Sequence, residues 1–279
     1  MSSGSSSTPR YELAALTDVG GRNHNEDSFL LLKASVNKIN AIIAVVADGV
    51  GGLSAGDVAS RMGVVTFSSK LLEKLLAGPA LQLDDKQVVD ALRAAVDHAN
   101  EVILDNLPRS GTTLVAALVI GDVAYVVNVG DSRAYLITKD EICQITRDHS
   151  QAWEDLQREL VKFFNSGGKP DLSGLAEFKR KFIQNHPRAH VINNVVGFFG
   201  KVEPIDVFKI TLHKGDILLL CSDGLSDVLN DHDIHKIVIK SDDGNTAIQK
   251  LVDAIQKLVE EAKKNATDNI TVVLIKRET

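Results

Sequence analysis

The sequence predicts an α+β protein in which antiparallel strands carry the chemistry and helices cover them. Three observations support that class. The β-type runs between Thr112 and Thr146 are joined by short links, Gly121-Asp122, Gly130-Asp131 and Lys139-Asp140. Such links cannot hold a parallel crossover, so consecutive strands are expected to pair antiparallel, which excludes a doubly wound Rossmann sheet. Two uninterrupted apolar runs, Ala41 to Ala47 and Ile217 to Cys221, lead into Asp48-Gly49 and Ser222-Asp223-Gly224, the pattern of strands buried on both faces that deliver a carboxylate to the edge of a core. Apolar stripes at helical spacing lie between and after these runs.

The chain of 279 residues is 44% hydrophobic and 24% charged, enough to bury a sizeable core without staples. A formal net charge of -6 argues against a nucleic-acid binder. Cys143 and Cys221 are the only cysteines, which excludes a disulfide framework and a Cys-based zinc site. Both are expected to be small buried hydrophobes. No apolar run approaches the ~18 residues of a membrane span. Residues 1–9 are Ser/Gly-rich without an apolar core, as expected of a disordered leader or an appended remnant rather than a signal peptide, and the expected location is the cytoplasm.

In chain order, Tyr11 to Asp18 and Phe29 to Leu32 are expected strands. The loop between them, Asp18-Val19-Gly20-Gly21-Arg22-Asn23-His24-Asn25-Glu26-Asp27-Ser28, sets one guanidinium beside two adjacent carboxylates. Arg22 can grip a phosphate bidentately, while Glu26 and Asp27 can hold a cation or its waters. After Asn40 to Val46 and the glycines Gly49, Gly51 and Gly52, Ser54-Ala55-Gly56-Asp57 has the form of a helix cap. Val58, Met62, Val65, Ser69 and Leu72 follow on one predicted face, and Gly78-Pro79 stops the helix. A second helix is expected over Lys86 to Leu107.

Strands are then expected over Thr112 to Ile120, Val123 to Val129, Arg133 to Thr138 and Glu141 to Thr146. Residues 151–190 interrupt them with two amphipathic helices, Trp153 to Phe164 and Leu175 to Asn185, a candidate lid or partner surface. Val207 to Leu212 and Asp216 to Cys221 return to strand character. Asp231 to Lys240 and Thr246 to Lys264 are expected helices, the second with Ile248, Leu251, Ile255, Leu258 and Val259 on one face. Ile270 to Ile275 closes the chain as a strand. Without a repeat or a linker, one domain over residues 10–279 is expected.

Acids recur at the strand ends: Asp27, Asp48, Asp131, Asp223 and Asp268, with Asp227 one helical turn beyond Asp223. Like charges gathered in a fold require cations. Oxygen-only ligands point to hard octahedral ions, Mn²⁺ or Mg²⁺. Two such ions about 3.5–4 Å apart suit in-line attack on phosphorus. Taken singly, each acid also reads as an ordinary turn residue; the set is what carries the inference.

Arg22-x-x-Asn25-Glu26-Asp27, Asp48-Gly49-x-Gly51-Gly52, Gly111-Thr112-Thr113, Val129-Gly130-Asp131-Ser132-Arg133, Asp148-His149-Ser150, His186-Pro187-Arg188, Ser222-Asp223-Gly224-Leu225-x-Asp227 and Asp268-Asn269-Ile270-Thr271 occur in the order seen in the protein phosphatase 2C family. The sequence resembles the bacterial metal-dependent Ser/Thr phosphatases of that family from about residue 11 to 276. The resemblance implies a four-layer α-β-β-α sandwich, two antiparallel sheets flanked by helices. It implies that Asp48 bridges two Mn²⁺ or Mg²⁺ ions, with the Gly49 carbonyl on one and Asp223 and Asp268 on the other. Glu26 and Asp27 would hold metal-bound waters, Arg22 the substrate phosphate, and Asp131, Asp223 and Asp227 a third, weaker ion. Residues 151–190 fall where bacterial members carry a mobile flap.

Two departures stand out. Val50 occupies the position of a histidine general acid in members like the animal enzymes, so a metal-bound water is the first choice for protonating the leaving group and His24 the second. The flap ends in Val191-Ile192-Asn193-Asn194-Val195-Val196-Gly197 rather than the more usual ending. The expectation is a cytoplasmic, monomeric phosphatase in which a hydroxide between two ions hydrolyses phosphoserine and phosphothreonine in targets of a Ser/Thr kinase. It binds neither nucleic acid nor membrane. The alternatives are a catalytically inactive binding relative and a small-molecule phosphatase.

Overall fold

Antiparallel pairing sorts the strands into two sheets. The computed structural model describes residues 9–36, 39–50, 55–76, 84–167, 172–189, 191–198, 200–240 and 246–278. The elements run β1 (Tyr11–Asp18), β2 (Asp27–Val36), β3 (Ile39–Val50), α1 (Gly56–Leu76), α2 (Asp85–Asn106), β4 (Gly111–Thr112), β5 (Leu114–Ile120), β6 (Val123–Val129), β7 (Arg133–Ile137), β8 (Ile142–Gln144), α3 (Gln151–Asn165), α4 (Leu172–Gln184), β9 (Asp206–Thr211), β10 (Ile217–Cys221), α5 (Asp223–Ser226), α6 (Asp231–Lys240), α7 (Ala247–Lys263) and β11 (Ile270–Arg277). One sheet has the order β1-β11-β10-β7-β8, the other β2-β3-β5-β6-β9, with β4 paired to β3.

The period-2 alternation of β3 sends its two faces into different cores. Ile43, Val45 and Ala47 pack with Phe67, Leu71, Leu92 and Val96 of α1 and α2. Ile42, Ala44 and Val46 pack against Leu218, Leu220, Val273 and Ile275 of the facing sheet. A third core joins the outer face of that sheet, through Leu219 and Leu274, to Ile234 of α6 and Leu251 and Leu258 of α7. Three apolar layers between four structural ones give the expected α-β-β-α sandwich. Because β3 is buried on both sides, its run of apolar residues shows no polar alternation.

The register decides where the acids arrive. Asp27 opposes Asp48, Leu114 opposes Val129, Arg133 opposes Cys221, and Asp18 opposes Ile270. The end of β3, the starts of β2, β7 and β11 and the end of β10 therefore gather at one end of the sandwich.

The expected meander breaks at one point. β6 and β7 do not pair: they belong to different sheets, and Gly130-Asp131-Ser132 carries the chain across. Gly130 has φ +104, and a Cβ there would lie 2.7 Å from Thr113 Cβ, so only glycine makes this step without strain. The Ser132 hydroxyl, 2.7 Å from that of Thr113, pins the far side. Thr112 to Ile120 likewise divides into β4 and β5.

Three local expectations also shift. On α1 the buried face is Ala59, Ser60, Gly63, Val64, Phe67 and Leu71, whereas Val65 is 55% exposed and Ser69 is exposed. This helix is apolar around most of its circumference, so hydrophobicity alone does not select its face; the small residues Ala59, Ser60 and Gly63 allow the close approach that does. Ile248 lies outside the α7 stripe, 48% exposed. Cys221 is buried, but Cys143 is exposed, because β8 is a three-residue edge strand. The expected cap at Ser54, Gly51-Gly52, the stop at Gly78-Pro79 and residues 1–8 lie outside the described residues. Among the described residues no helix is long and apolar enough to cross a membrane.

Candidate metal centre

Asp48 ends β3, and its backbone is held on both sides. Its N–H donates to Thr113 Oγ1 at 3.0 Å, and its carbonyl accepts from the Thr113 N–H at 2.8 Å and the Thr112 hydroxyl at 2.9 Å. Asp27 opens β2; its Oδ2 accepts from the Ser222 hydroxyl at 2.7 Å, and that Ser222 oxygen accepts the Thr271 N–H at 3.0 Å. Residue 222 on the end of β10 thus ties Asp27 to the opposite sheet.

The charges of Asp223, Asp27, Asp131 and Asp268 all act on Asp48, whose carboxyl stands well above the ordinary range, first through burial and then through these neighbours. Asp27 is pushed up to about 6, again chiefly by burial. Asp223 is pushed up to about 7 by burial and then by Asp227 and Asp268, while sharing a hydrogen bond with Asp48. Asp131 is raised by burial and by Asp223, Asp148 and Asp227. The structure therefore brings together Asp27, Asp48, Asp131, Asp223 and Asp268, with the exposed Asp227 at the margin, from strand ends of both sheets. Among the described residues no three acidic, histidine or cysteine side chains are already gathered tightly enough to cage an ion.

Glu26 and Gly49 meet beside these acids. The Gly49 N–H donates to the Glu26 carbonyl at 3.2 Å, and the Ser60 hydroxyl donates to the same carbonyl at 2.5 Å. A Cβ on Gly56 would lie 2.9 Å from Glu26 Cδ and 3.0 Å from the Gly49 carbonyl oxygen, so the start of α1 sits directly against both. Arg22 does not reach into solvent as an unpartnered grip: its Nη2 donates to Asp268 Oδ2 at 2.5 Å, with the Arg22 side chain 56% exposed. The charges of Asp48 and Glu26 also bear on it.

Residues without an assigned role in the sequence reading prove to hold this end together. The Asn269 amide donates to the Val19 and His24 carbonyls, both at 2.8 Å, while its Oδ1 accepts the Glu26 N–H at 2.8 Å. Thr113 and Ser222 fix the backbone and side chain of two acids. Ser222 and Asn269 are marked in sequence by adjacency to an Asp, and Thr113 only by its place in Gly111-Thr112-Thr113. His24 is exposed on its loop, and Val50 continues β3 opposite Gly111.

Divalent-cation chemistry can be tested on the carboxylate oxygens. Asp27 Oδ1, Asp131 Oδ1 and Asp223 Oδ1 are buried and have no hydrogen-bond partner in the protein. Buried carboxylate oxygens without donors are costly unless a cation takes them. The donor set is all oxygen, which fits a hard divalent ion.

Residues 20–269 match the protein phosphatase 2C family. The chain belongs to that family. The serine/threonine phosphatase stp of Listeria monocytogenes is 33% identical over 263 residues, covering 92% of each chain. The protein phosphatase PhpP of Streptococcus pneumoniae is 29% identical, over 95% of this chain and 96% of its own. Among solved structures, the Streptococcus agalactiae serine/threonine phosphatase superposes with a TM-score of 0.73 at 26% identity, covering 96% and 100% of the two chains. The catalytic domain of the serine/threonine phosphatase PstP in complex with two manganese ions superposes with a TM-score of 0.67 at 26% identity, covering 98% and 100%. This phosphatase 2C chain thus carries the family architecture over nearly all of its length.

Proposed function

We propose that this protein is a divalent-cation-dependent phosphatase that hydrolyses phosphoserine and phosphothreonine in proteins phosphorylated by a Ser/Thr kinase. The observation that carries the reading is the group of buried carboxylate oxygens, Asp27 Oδ1, Asp131 Oδ1 and Asp223 Oδ1, left without protein donors where the charges of five acids act on one another. Mn²⁺ or Mg²⁺ bound there would neutralise the cluster, activate water and polarise the phosphoryl group.

The chain's own residues divide the remaining work. Asp48 would bridge two ions, with the Gly49 carbonyl, Asp223 and Asp268 completing their protein ligands. Asp27 and Glu26 would orient coordinated waters, and Asp131, Asp223 and Asp227 would hold a third, weaker ion. Arg22, pre-aimed by Asp268, would meet the substrate phosphate with its remaining N–H donors. No protein nucleophile is invoked: Cys221 is buried with its thiol pushed up to about 12, and the Ser222 hydroxyl is committed to Asp27. His24, exposed beside Arg22, is retained as the second candidate for leaving-group protonation after coordinated water.

One domain with 151–190 as a flap, a cytoplasmic location and a monomeric state complete the proposal. Turnover of a phosphopeptide is measured with Mn²⁺, with Mg²⁺, with EDTA and in Asp48→Ala. The reading requires metal-dependent activity lost in the variant, and metal-independent turnover overturns it. Faster turnover of sugar phosphates or cyclic nucleotides than of phosphopeptides overturns the substrate assignment.

A further inference from the structure

His149 is buried where three segments meet, and it holds one residue from two sides. Its backbone N–H donates to the Gly130 carbonyl at 2.9 Å, and its Nδ1 accepts the Gly130 N–H at 3.2 Å. Asn194 Nδ2 also donates toward Nδ1, at 3.0 Å, while Nε2 lies 3.2 Å from Asp206 Oδ2. With two N–H groups aimed at Nδ1, that nitrogen is the acceptor, and Nε2 carries the hydrogen given to Asp206. Gly130 immediately precedes Asp131, at the positive-φ step by which the chain changes sheets.

The same residue stands at the root of the α3–α4 excursion. Its carbonyl accepts the Asn193 N–H at 2.8 Å, Ser150 bridges Ile192, and the Gln151 N–H donates to the Val191 carbonyl at 2.9 Å. The returning limb is fastened in turn, since Val196 exchanges two 2.9 Å backbone bonds with Thr112. The Thr112 hydroxyl donates to the Asp48 carbonyl at 2.9 Å. The outgoing limb is therefore one hydrogen-bonded step, and the returning limb two, from the backbone that delivers an acid.

We propose that His149 is a positioning residue that locks the root of the α3–α4 excursion to the Gly130-Asp131 step, so that a change in the excursion is felt as a change in cation affinity at Asp131. This rests on the reading of Asp131 as a ligand of the weaker ion. Withdrawing the ring leaves the buried Gly130 N–H without its side-chain acceptor and frees a turn whose geometry glycine alone does not enforce. By linkage, cation binding at Asp131 stiffens the excursion as much as an ordered excursion favours the cation.

The test compares His149→Ala, His149→Gln and His149→Asn in the full chain. Asparagine can place its Oδ1 near the Nδ1 position and accept from Gly130. Glutamine retains a donor toward Asp206 but removes that acceptor, and it serves if the alanine variant does not fold. Mn²⁺ titration by calorimetry is expected to show the weakest class of sites weakened roughly 10- to 100-fold in the Ala and Gln variants, the tighter classes unchanged, and recovery in the Asn variant. In metal-free protein, amide exchange is expected to quicken together at 128–132 and 191–196 in the same two variants. Wild-type titration and exchange in a folded Ala or Gln variant overturn the proposal, as does equal weakening of every class. Asp131→Ala separates the underlying reading: if it leaves all classes intact, Asp131 is no ligand, and the exchange data alone then decide whether the lock exists.

Discussion

Asp27 and Asp48 stand directly opposite each other across the β2–β3 ladder. Like charges in that position destabilise a sheet, and here burial adds to the repulsion. The pairing persists because both neighbours are fastened from elsewhere: Asp27 by Ser222, Asp48 by Thr112 and Thr113. The fold thus stores an electrostatic cost at one end, which a cation bound there would relieve, linking stability to metal and to pH.

The pH dependence of the metal-free protein follows from this linkage. Asp27 and Asp223 are raised from an ordinary 3.8 to about 6 and about 7. A carboxyl raised on folding contributes stability that is full below its unfolded value and is lost as pH rises through the folded one. Metal-free protein is therefore expected to lose melting temperature between about pH 4 and pH 7. Mn²⁺ is expected to raise the melting temperature more at pH 7.5 than at pH 5. Calorimetric scans with and without EDTA check it; a metal-induced rise that is larger at pH 5 contradicts it.

Asp48→Asn removes the buried charge on which four other acids act. Without metal this variant is expected to melt above the parent, with the gap widening as pH rises, because a neutral amide replaces a desolvated carboxylate. The same variant is expected to lose phosphopeptide turnover and most of the Mn²⁺-induced rise in melting temperature. Thermal melts read both effects in one titration.

Arg22 is held by Asp268 at 2.5 Å with its side chain half in solvent. Arg22→Ala removes charged hydrogen bonds worth about 1.5–3 kcal/mol, a roughly ten- to hundredfold loss of kcat/KM. Weaker inhibition by inorganic phosphate is expected to accompany it. Arg22→Lys keeps the charge but not the planar fork, so it is expected to recover only part of the loss. Steady-state kinetics across the three proteins distinguish phosphate binding from a purely structural tie to Asp268.

Asn269 satisfies three backbone groups of the 19–26 segment. Asn269→Ala is expected to cost about 1–3 kcal/mol for each of those groups that stays buried without a partner. Because that segment carries Arg22 and Glu26, activity is expected to fall with stability. Asn269→Asp keeps the acceptor for the Glu26 N–H but turns a buried carboxylate oxygen toward the Val19 and His24 carbonyls, so it is expected to cost at least as much as Asn269→Ala. Denaturant melts and kinetics on the same preparations test the ranking.

The strands, the helices and the acids at their ends were legible in the sequence, because each is written in a few neighbouring residues. Alternation or an unbroken apolar run marks a strand, a stripe marks a helix, and Asp-Gly marks a carboxylate at a strand's end. Even the four-layer class followed, through motifs shared with a family. Tertiary structure alone decided the rest. That β6 and β7 part into different sheets depends on Gly130 φ and on the Thr113–Ser132 contact, neither of which is a local pattern. The buried face of α1 was set by how closely small residues let it approach its neighbours, not by hydrophobicity. The work of Asn269, Ser222 and His149 lies in hydrogen bonds to segments distant in the chain, and a polar residue's partner over such separations is fixed only once the core has packed.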